Sequence, residues 1–229
     1  FFFKQKTAYE IRNCDWSSDV CSSDLEKAVE SGVHGLIAVN RRAGGHAGPK
    51  SARPLLDEVG DLGLPVVCAG GIGTPEEFAS ALRMGYAGVQ MGTRFIATEE
   101  CRASEPYKQA ILDAEEDDIV LTERLTGVPV AVINTPYVQR LGLKAGPVAR
   151  RMLRGRKTKH WMRSIYALKS AWMLKRTALD TRGTTEYWQA GRSVSGIHRI
   201  VPAAEVIHTC ATAAREPQES GSTEPGHEP

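Results

Sequence analysis

The sequence predicts an α/β protein built on a parallel sheet, and three observations carry that expectation. Short apolar runs recur at Gly35–Asn40, Leu64–Ala69 and Ala87–Met91, with helical spacing between them. Each run passes at once into a glycine-rich turn: Ala43-Gly-Gly-His46-Ala-Gly48, Ala69-Gly-Gly-Ile-Gly-Thr74 and Gln90-Met-Gly-Thr-Arg-Phe95. The links are short, and neighbouring parallel strands need a crossover, which the intervening helical segments supply.

The first 25 residues stand apart from this pattern. Lys4 to Leu25 shows neither a helical nor a strand period. Asp15–Leu25 back-translates onto a primer ligated to DNA fragments before sequencing, and Lys4–Ile11 onto its companion adapter. Residues 1–25 are therefore expected to be adapter-derived rather than native. They carry Cys14, Cys21 and a charge of −1, from Lys4, Lys6 and Arg12 against Glu10, Asp15, Asp19 and Asp24. The cysteines that remain, Cys68, Cys101 and Cys210, are odd in number and widely spaced. That spacing argues against a disulfide scaffold or zinc site and suits a reducing cytoplasm. No apolar run approaches the ~18 residues needed to cross a bilayer, so neither a membrane partner nor a metal is expected.

Glu26–Gly32 reads as the end of a helix closed by glycine, and Gly35–Asn40 as the first strand. Ala52–Asp61 has Leu55, Leu56 and Val59 at helical spacing before the strand Leu64–Ala69. Thr74-Pro-Glu-Glu77 combines an N-cap Thr, Pro at the first helical position and Glu at the third, a capping box. The helix it opens runs to Met84 and stops at Gly85. Ala87–Met91 is the third strand. Beyond Phe95, Glu105–Asp118 reads as a polar helix and Thr126–Ile133 as extended and apolar. From Arg124 to Leu179 there is no carboxylate. Trp161, Ile165, Leu168 and Trp172 fall on one stripe of a basic helix there, which suits packing on the main domain with the cations solvated. Thr184–Val206 reads as a Gly-punctuated, helix-like segment, and from Arg215 onward Glu, Pro, Ser and Gly predict a disordered tail.

Chemistry is expected where the strands end. Glycines there let a backbone approach a phosphate, with N–H groups at the next helix start facing the anion. Gly70, Gly71, Gly92 and Thr93 are the candidates, with Arg94 as a possible counter-charge. His46 is the ionisable side chain within the first turn, and an imidazole can accept a proton near neutral pH beside a redox cofactor. Gly73 and Gly85 are read as turn geometry and a helix stop, and Cys68 as a small core residue.

These motifs resemble the nitronate monooxygenases (2-nitropropane dioxygenase-like), which are FMN-bearing TIM (β/α)8 barrels. The resemblance runs from about Glu26 to Ile207. It implies that the chain holds the C-terminal part of such a barrel, its last three βα units, with a helical insertion. It also implies that His46 is the base or substrate-orienting residue. FMN contacts would come from Gly44, Gly45, Gly70, Gly71, Gln90, Met91, Gly92 and Thr93. The implied reaction oxidises a nitronate, or a nitroalkane after proton removal, passing electrons through FMN to O2 and giving a carbonyl compound and nitrite. Small molecules are the expected partners, with no specific nucleic acid.

On this reading residues 26–98 are a partial flavin-binding barrel (strands 6–8), and 99–183 a helical, basic insertion on the substrate side. Residues 184–213 close the barrel, and 214–229 form the tail. The chain departs from many members of the family in carrying Val39-Asn40-Arg41-Arg42 where they have a glutamine and an acidic residue. A flavin contact there is either lost or taken over by Asn40, and the local charge is reversed. Three strands alone would leave edges and apolar faces exposed, so the chain by itself is expected to be poorly stable, to bind FMN poorly and to lack activity. A flavin-dependent enoyl-acyl-carrier-protein reductase or an NAD(P)H:quinone reductase of the same fold would share these turns. A basic interaction module at residues 124–179 is the reading from another class.

Overall fold

A computed structural model describes residues 33–124, 128–144 and 187–216. The adapter-like residues 1–25, the helix end at 26–32, the basic stripe of Trp161, Ile165, Leu168 and Trp172, and residues 217–229 lie outside the described residues.

Three strands, β1 (Leu36–Val39), β2 (Val66–Ala69) and β3 (Gly88–Gln90), form a parallel sheet in sequence order. Helix α1 (Ala52–Val59) and a 3-10 turn at Gly60–Leu62 connect β1 to β2, and α2 (Pro75–Met84) connects β2 to β3. The alternation of each strand decides which side chains meet the helices. Leu36, Ala38, Val66 and Cys68 point into a core with Leu55, Val59, Ile72, Ala81 and Tyr86. Burying each large apolar side chain there contributes about 1.5–3 kcal/mol against chain entropy. Ile37, one residue out of phase with Leu36, is 47% exposed.

Helix α2 begins as its sequence predicts. Thr74 Oγ1 accepts from Glu77 N at 3.2 Å, and Glu77 Oε2 accepts from Thr74 N at 3.3 Å. The helix stops at Gly85, whose φ of 111° favours glycine. Tyr86 closes this unit by donating its hydroxyl to Ala52 O at 2.7 Å.

After β3 comes the single turn α3 (Thr93–Ile96). The polar helix is shorter than the sequence suggests: α4 covers Glu105–Asp113, and Glu116–Asp118 is a separate 3-10 turn. Its break has a local cause, because Asp118 Oδ2 accepts from Glu115 N at 2.9 Å and starts a new cap. Two strands follow, β4 (Ile119–Thr122) and β5 (Val130–Ile133), paired antiparallel. The described part of 99–183 thus holds a β-ribbon as well as α4 and α5 (Pro136–Leu141). All four residues of β5 are buried.

Of the segment read as helix-like over 184–206, residues 187–202 are instead irregular apart from a 3-10 stretch at Arg192–Gly196. Helix α6 (Ala203–Ala213) starts only after Pro202 and packs along α2. Gly191, Gly196 and Pro202 explain the difference, since each interrupts helix propagation. No helix among the described residues is long and apolar enough to cross a membrane.

Thr74→Ala removes the oxygen that caps α2 and is expected to lower stability by about 1 kcal/mol, measured by urea unfolding, whereas Thr74→Ser should leave it nearly unchanged.

Candidate functional site

The sheet register sets Val39 beside Ala69 and Ala69 beside Gln90. The three strands therefore end level, and their turns emerge side by side at the carboxyl edge.

The first turn folds around Asn40, which is 2% exposed. Its Nδ2 donates to Gly70 O at 2.8 Å and lies 3.5 Å from Cys68 Sγ, while Oδ1 accepts from Arg42 N at 2.8 Å. Asn40 O accepts from both Ala43 N and Gly48 N at 3.2 Å. The Asn40 amide is committed to joining the first turn to the second, which removes it as a replacement flavin contact. Gly45, with φ 67°, exchanges backbone hydrogen bonds with Ala131 of β5, at 3.3 and 2.7 Å. This pairing anchors the turn one residue before His46, whose side chain is exposed.

In the second turn Gly70 (φ 107°) and Gly71 (φ 73°) are left-handed. Crowding also requires them, since a Cβ on Gly70 would lie 2.6 Å from Ala43, and one on Gly71 2.6 Å from the Arg42 side chain. Arg42 lies against this glycine pair. Its Nη2 is 3.3 Å from Glu77 Oε1 and 3.3 Å from Glu116 Oε2, and Arg192 Nη1 is 3.3 Å from Glu116 Oε1. The reversed charge at Arg42 is thus answered by carboxylates from α2 and the 116–118 turn. Glu77 also accepts from Gly73 N at 2.7 Å. Gly73 has a packing role rather than a turn role, because a Cβ there would meet Ser193 O at 2.4 Å.

In the third turn Thr93 is buried and its Oγ1 accepts from Gly191 N at 3.0 Å, leaving its hydroxyl hydrogen to donate elsewhere. Gln90 and Gly92 are exposed, and Met91 packs against the apolar clusters. Arg94 does not serve as a counter-charge at the turns. It is 6% exposed, and its Nη2 donates to Ala97 O at 3.4 Å and Arg199 O at 3.2 Å. Burial and the neighbouring Arg199 charge push the Arg94 guanidinium below its ordinary pKa.

Sequence reasoning missed the segment that binds the turns together. A Cβ on Gly44 would lie 2.8 Å from Gly191 N, and one on Gly191 2.7 Å from Gly44 N, so two glycine backbones cross in contact. Arg192 N donates to Arg42 O at 2.9 Å. Trp188 stacks on Tyr107 with centroids 5.9 Å apart, and the Tyr107 hydroxyl donates to Gln189 O. Burial pushes the Tyr107 phenol up, which keeps that donor protonated. Gly191 within Tyr187-Trp-Gln-Ala-Gly191 was the available signal.

The residues fit a phosphate-bearing group in one specific respect. Gly44, Gly70, Gly71 and Gly191 are explained by contacts within the chain, whereas no described residue lies within 4 Å of a Cβ built on Gly92, whose φ of −100° suits any residue. Among the described residues nothing packs against Gly92, which leaves its backbone open to a ligand at the start of α3. A second polar feature lies beside the glycine pair, where Arg42 Nε is buried without a hydrogen-bond partner.

A family model described as nitronate monooxygenase matches residues 18–212. An octahydro-indene-carboxyl-CoA dehydrogenase of Mycobacterium tuberculosis is 37% identical over 119 residues, covering 50% of this chain and 34% of that protein. A probable nitronate monooxygenase of Staphylococcus saprophyticus is 33% identical over 135 residues, covering 52% and 38%. Among solved structures, FabK from Thermotoga maritima is similar with TM-score 0.64 and 26% identity, over 84% of this chain and 58% of that one. A nitroalkane oxidase from Streptomyces ansochromogenes shares the fold with TM-score 0.62 and 24% identity, over 84% and 55%. The chain spans between a third and two fifths of the length of these two curated relatives.

Gly191→Ala forces the crossing apart and is expected to cost about 1–3 kcal/mol, with faster amide exchange at Gly45 and Ala131. Gly60→Ala, at a helical φ of −65° with nothing within 4 Å of the added Cβ, is the matched control and should be neutral or slightly stabilising.

Proposed function

The chain belongs to the nitronate monooxygenase family, and from that premise we propose that its three turns form the FMN end of an active site that oxidises alkyl nitronates, or nitroalkanes after proton removal, with O2. The products are a carbonyl compound and nitrite. The observation that carries this reading is the left-handed Gly70-Gly71 pair and the exposed Gly92, brought side by side at the level end of a parallel sheet. That edge is where barrel enzymes place their chemistry.

FMN, when bound, would accept the electrons of the substrate and pass them to molecular oxygen. The backbone of Gly70, Gly71 and Gly92 and the hydroxyl hydrogen of Thr93 would hold its phosphate. A ring nitrogen of His46 would take the α-proton of a neutral nitroalkane, while an anionic nitronate needs no such step. Gly45, paired to β5, fixes the turn from which His46 reaches the substrate. In a closed barrel further strands complete the flavin site, so the 229-residue chain alone is expected to bind FMN weakly and to turn over no nitronate. The reading places the protein in the cytoplasm.

Similarity to FabK favours a second reading, reduction by NAD(P)H of an enoyl thioester on a carrier. Stopped-flow mixing of the barrel-complete protein with nitronate or with NAD(P)H separates the two. Flavin bleaching by nitronate alone supports the first, and bleaching by NAD(P)H alone supports the second.

In the barrel-complete protein, His46→Asn should depress oxidation of neutral nitroalkanes by about 10²-fold or more, as expected for loss of a general base, and oxidation of the preformed nitronate far less. In parallel, Gly92→Ala should leave unfolding free energy within about 0.5 kcal/mol of the parent while weakening FMN about tenfold relative to riboflavin. Equal weakening of FMN and riboflavin would remove the phosphate assignment.

A further inference from the structure

Between α2 and α6 the described residues line an open pocket of about 220 Å³ to which none of Gly70, Gly71, Gly92 and Thr93 contributes. Arg94, His198, Arg199 and Glu205 bring polar groups to it, and Val206 and Cys210 give it an apolar floor. Its lining carries two guanidiniums and one carboxylate, and Glu76 acts on Cys210 from α2. Arg94 is buried, and the acceptors its guanidinium meets are two carbonyl oxygens, which use one of its three nitrogens. Glu205, the carboxylate lining the cavity, is engaged at 2.6 Å by Arg199. Arg199 and Glu205 pair with each other, so the direct partners of Arg94 are carbonyl oxygens. Burial pushes the Cys210 thiol up, so it adds no compensating negative charge. A guanidinium keeps its charge when buried, and a buried charge is stabilised by an anion more than by carbonyls alone.

We propose that this cavity is an oxyanion site, taking the phosphate or carboxylate group of a small molecule, with Arg94 as the buried cation and Arg199 as the second arm once it turns from Glu205. The apolar floor favours an anion carrying a short hydrocarbon part over a fully hydrated ion. Gly73 also lines the cavity, two residues beyond Gly71, and Arg94 directly follows Thr93. An occupied cavity would brace the second and third turns from behind. The proposal rests on residues of α2, α3 and α6 and their approaches, and is independent of the flavin reading.

Thermal unfolding of the full chain is followed with inorganic phosphate, with acetate, and with chloride at matched ionic strength. Phosphate or acetate should raise the midpoint saturably above chloride, and which of them does so identifies the group. Arg94→Lys should weaken that binding at least tenfold. Arg199→Ala, at a side chain 73% exposed, should weaken it several-fold without lowering the midpoint in chloride. Glu205→Gln, which releases Arg199, should strengthen it several-fold. If Arg94→Lys does not fold, the opposite effects of the Arg199 and Glu205 variants decide. The proposal is overturned if neither oxyanion exceeds chloride, or if the shift survives both arginine substitutions. It is also overturned if Gly92→Ala abolishes the shift while Arg199→Ala leaves it intact, since the ion then sits at the sheet edge.

Discussion

The site depends on a contact between two glycine backbones. Gly44 and Gly191 cross so closely that a single Cβ on either would enter the other's main chain. That crossing brings Gly191 N within reach of Thr93 Oγ1 and Arg192 N within reach of Arg42 O. One segment, residues 187–192, therefore joins the first turn to the third, while Asn40 joins the first to the second. The parallel sheet levels the turns, but these side links fix their spacing. Hydrogen bonds are directional, so these links, two of them through the Thr93 and Asn40 side chains, fix orientation as well as distance.

Charge is arranged with similar economy. Glu77 closes the capping box of α2, accepts from Gly73 N and meets Arg42 across the glycine pair. Glu116 holds Arg42 and Arg192 together. These side chains are about one-third exposed or more, so each pair contributes little to stability by itself. Their effect is positional: the carboxylates of α2 and the 116–118 turn hold the Arg42 guanidinium in place where its side chain crosses Gly71.

Much of this was legible in the sequence where a local rule acts alone. Strands β1 to β3 showed as apolar runs, and α2 announced both its ends through Thr74, Pro75, Glu77 and Gly85. Cys68 was read as core and is 1% exposed. Arg94 could not be placed because the direction of its side chain within a single-turn helix depends on Arg199 O, 105 residues away in the segment before α6. Strand β4 went unread because Ile119–Thr122 directly follows an acidic stretch, and its pairing with β5 is tertiary. The reasons for the glycines were only half visible. Positive φ at Gly70 and Gly71 follows from a tight turn, but the need for Gly44 lies in Gly191, far along the chain.

The separation of those partners carries a kinetic consequence. β1, β2 and β3 pair through crossovers of about 30 residues or fewer, whereas the hydrogen bond from Gly191 to Thr93 closes a loop of 98 residues and includes the β4–β5 ribbon within it. Loop closure entropy and contact order both delay such a link. The sheet can form while the turns at its edge are still unclasped, so the order of assembly runs from scaffold to site. A chain interrupted before residue 187 during synthesis would hold its three strands yet lack the clasp that gives their ends a common geometry.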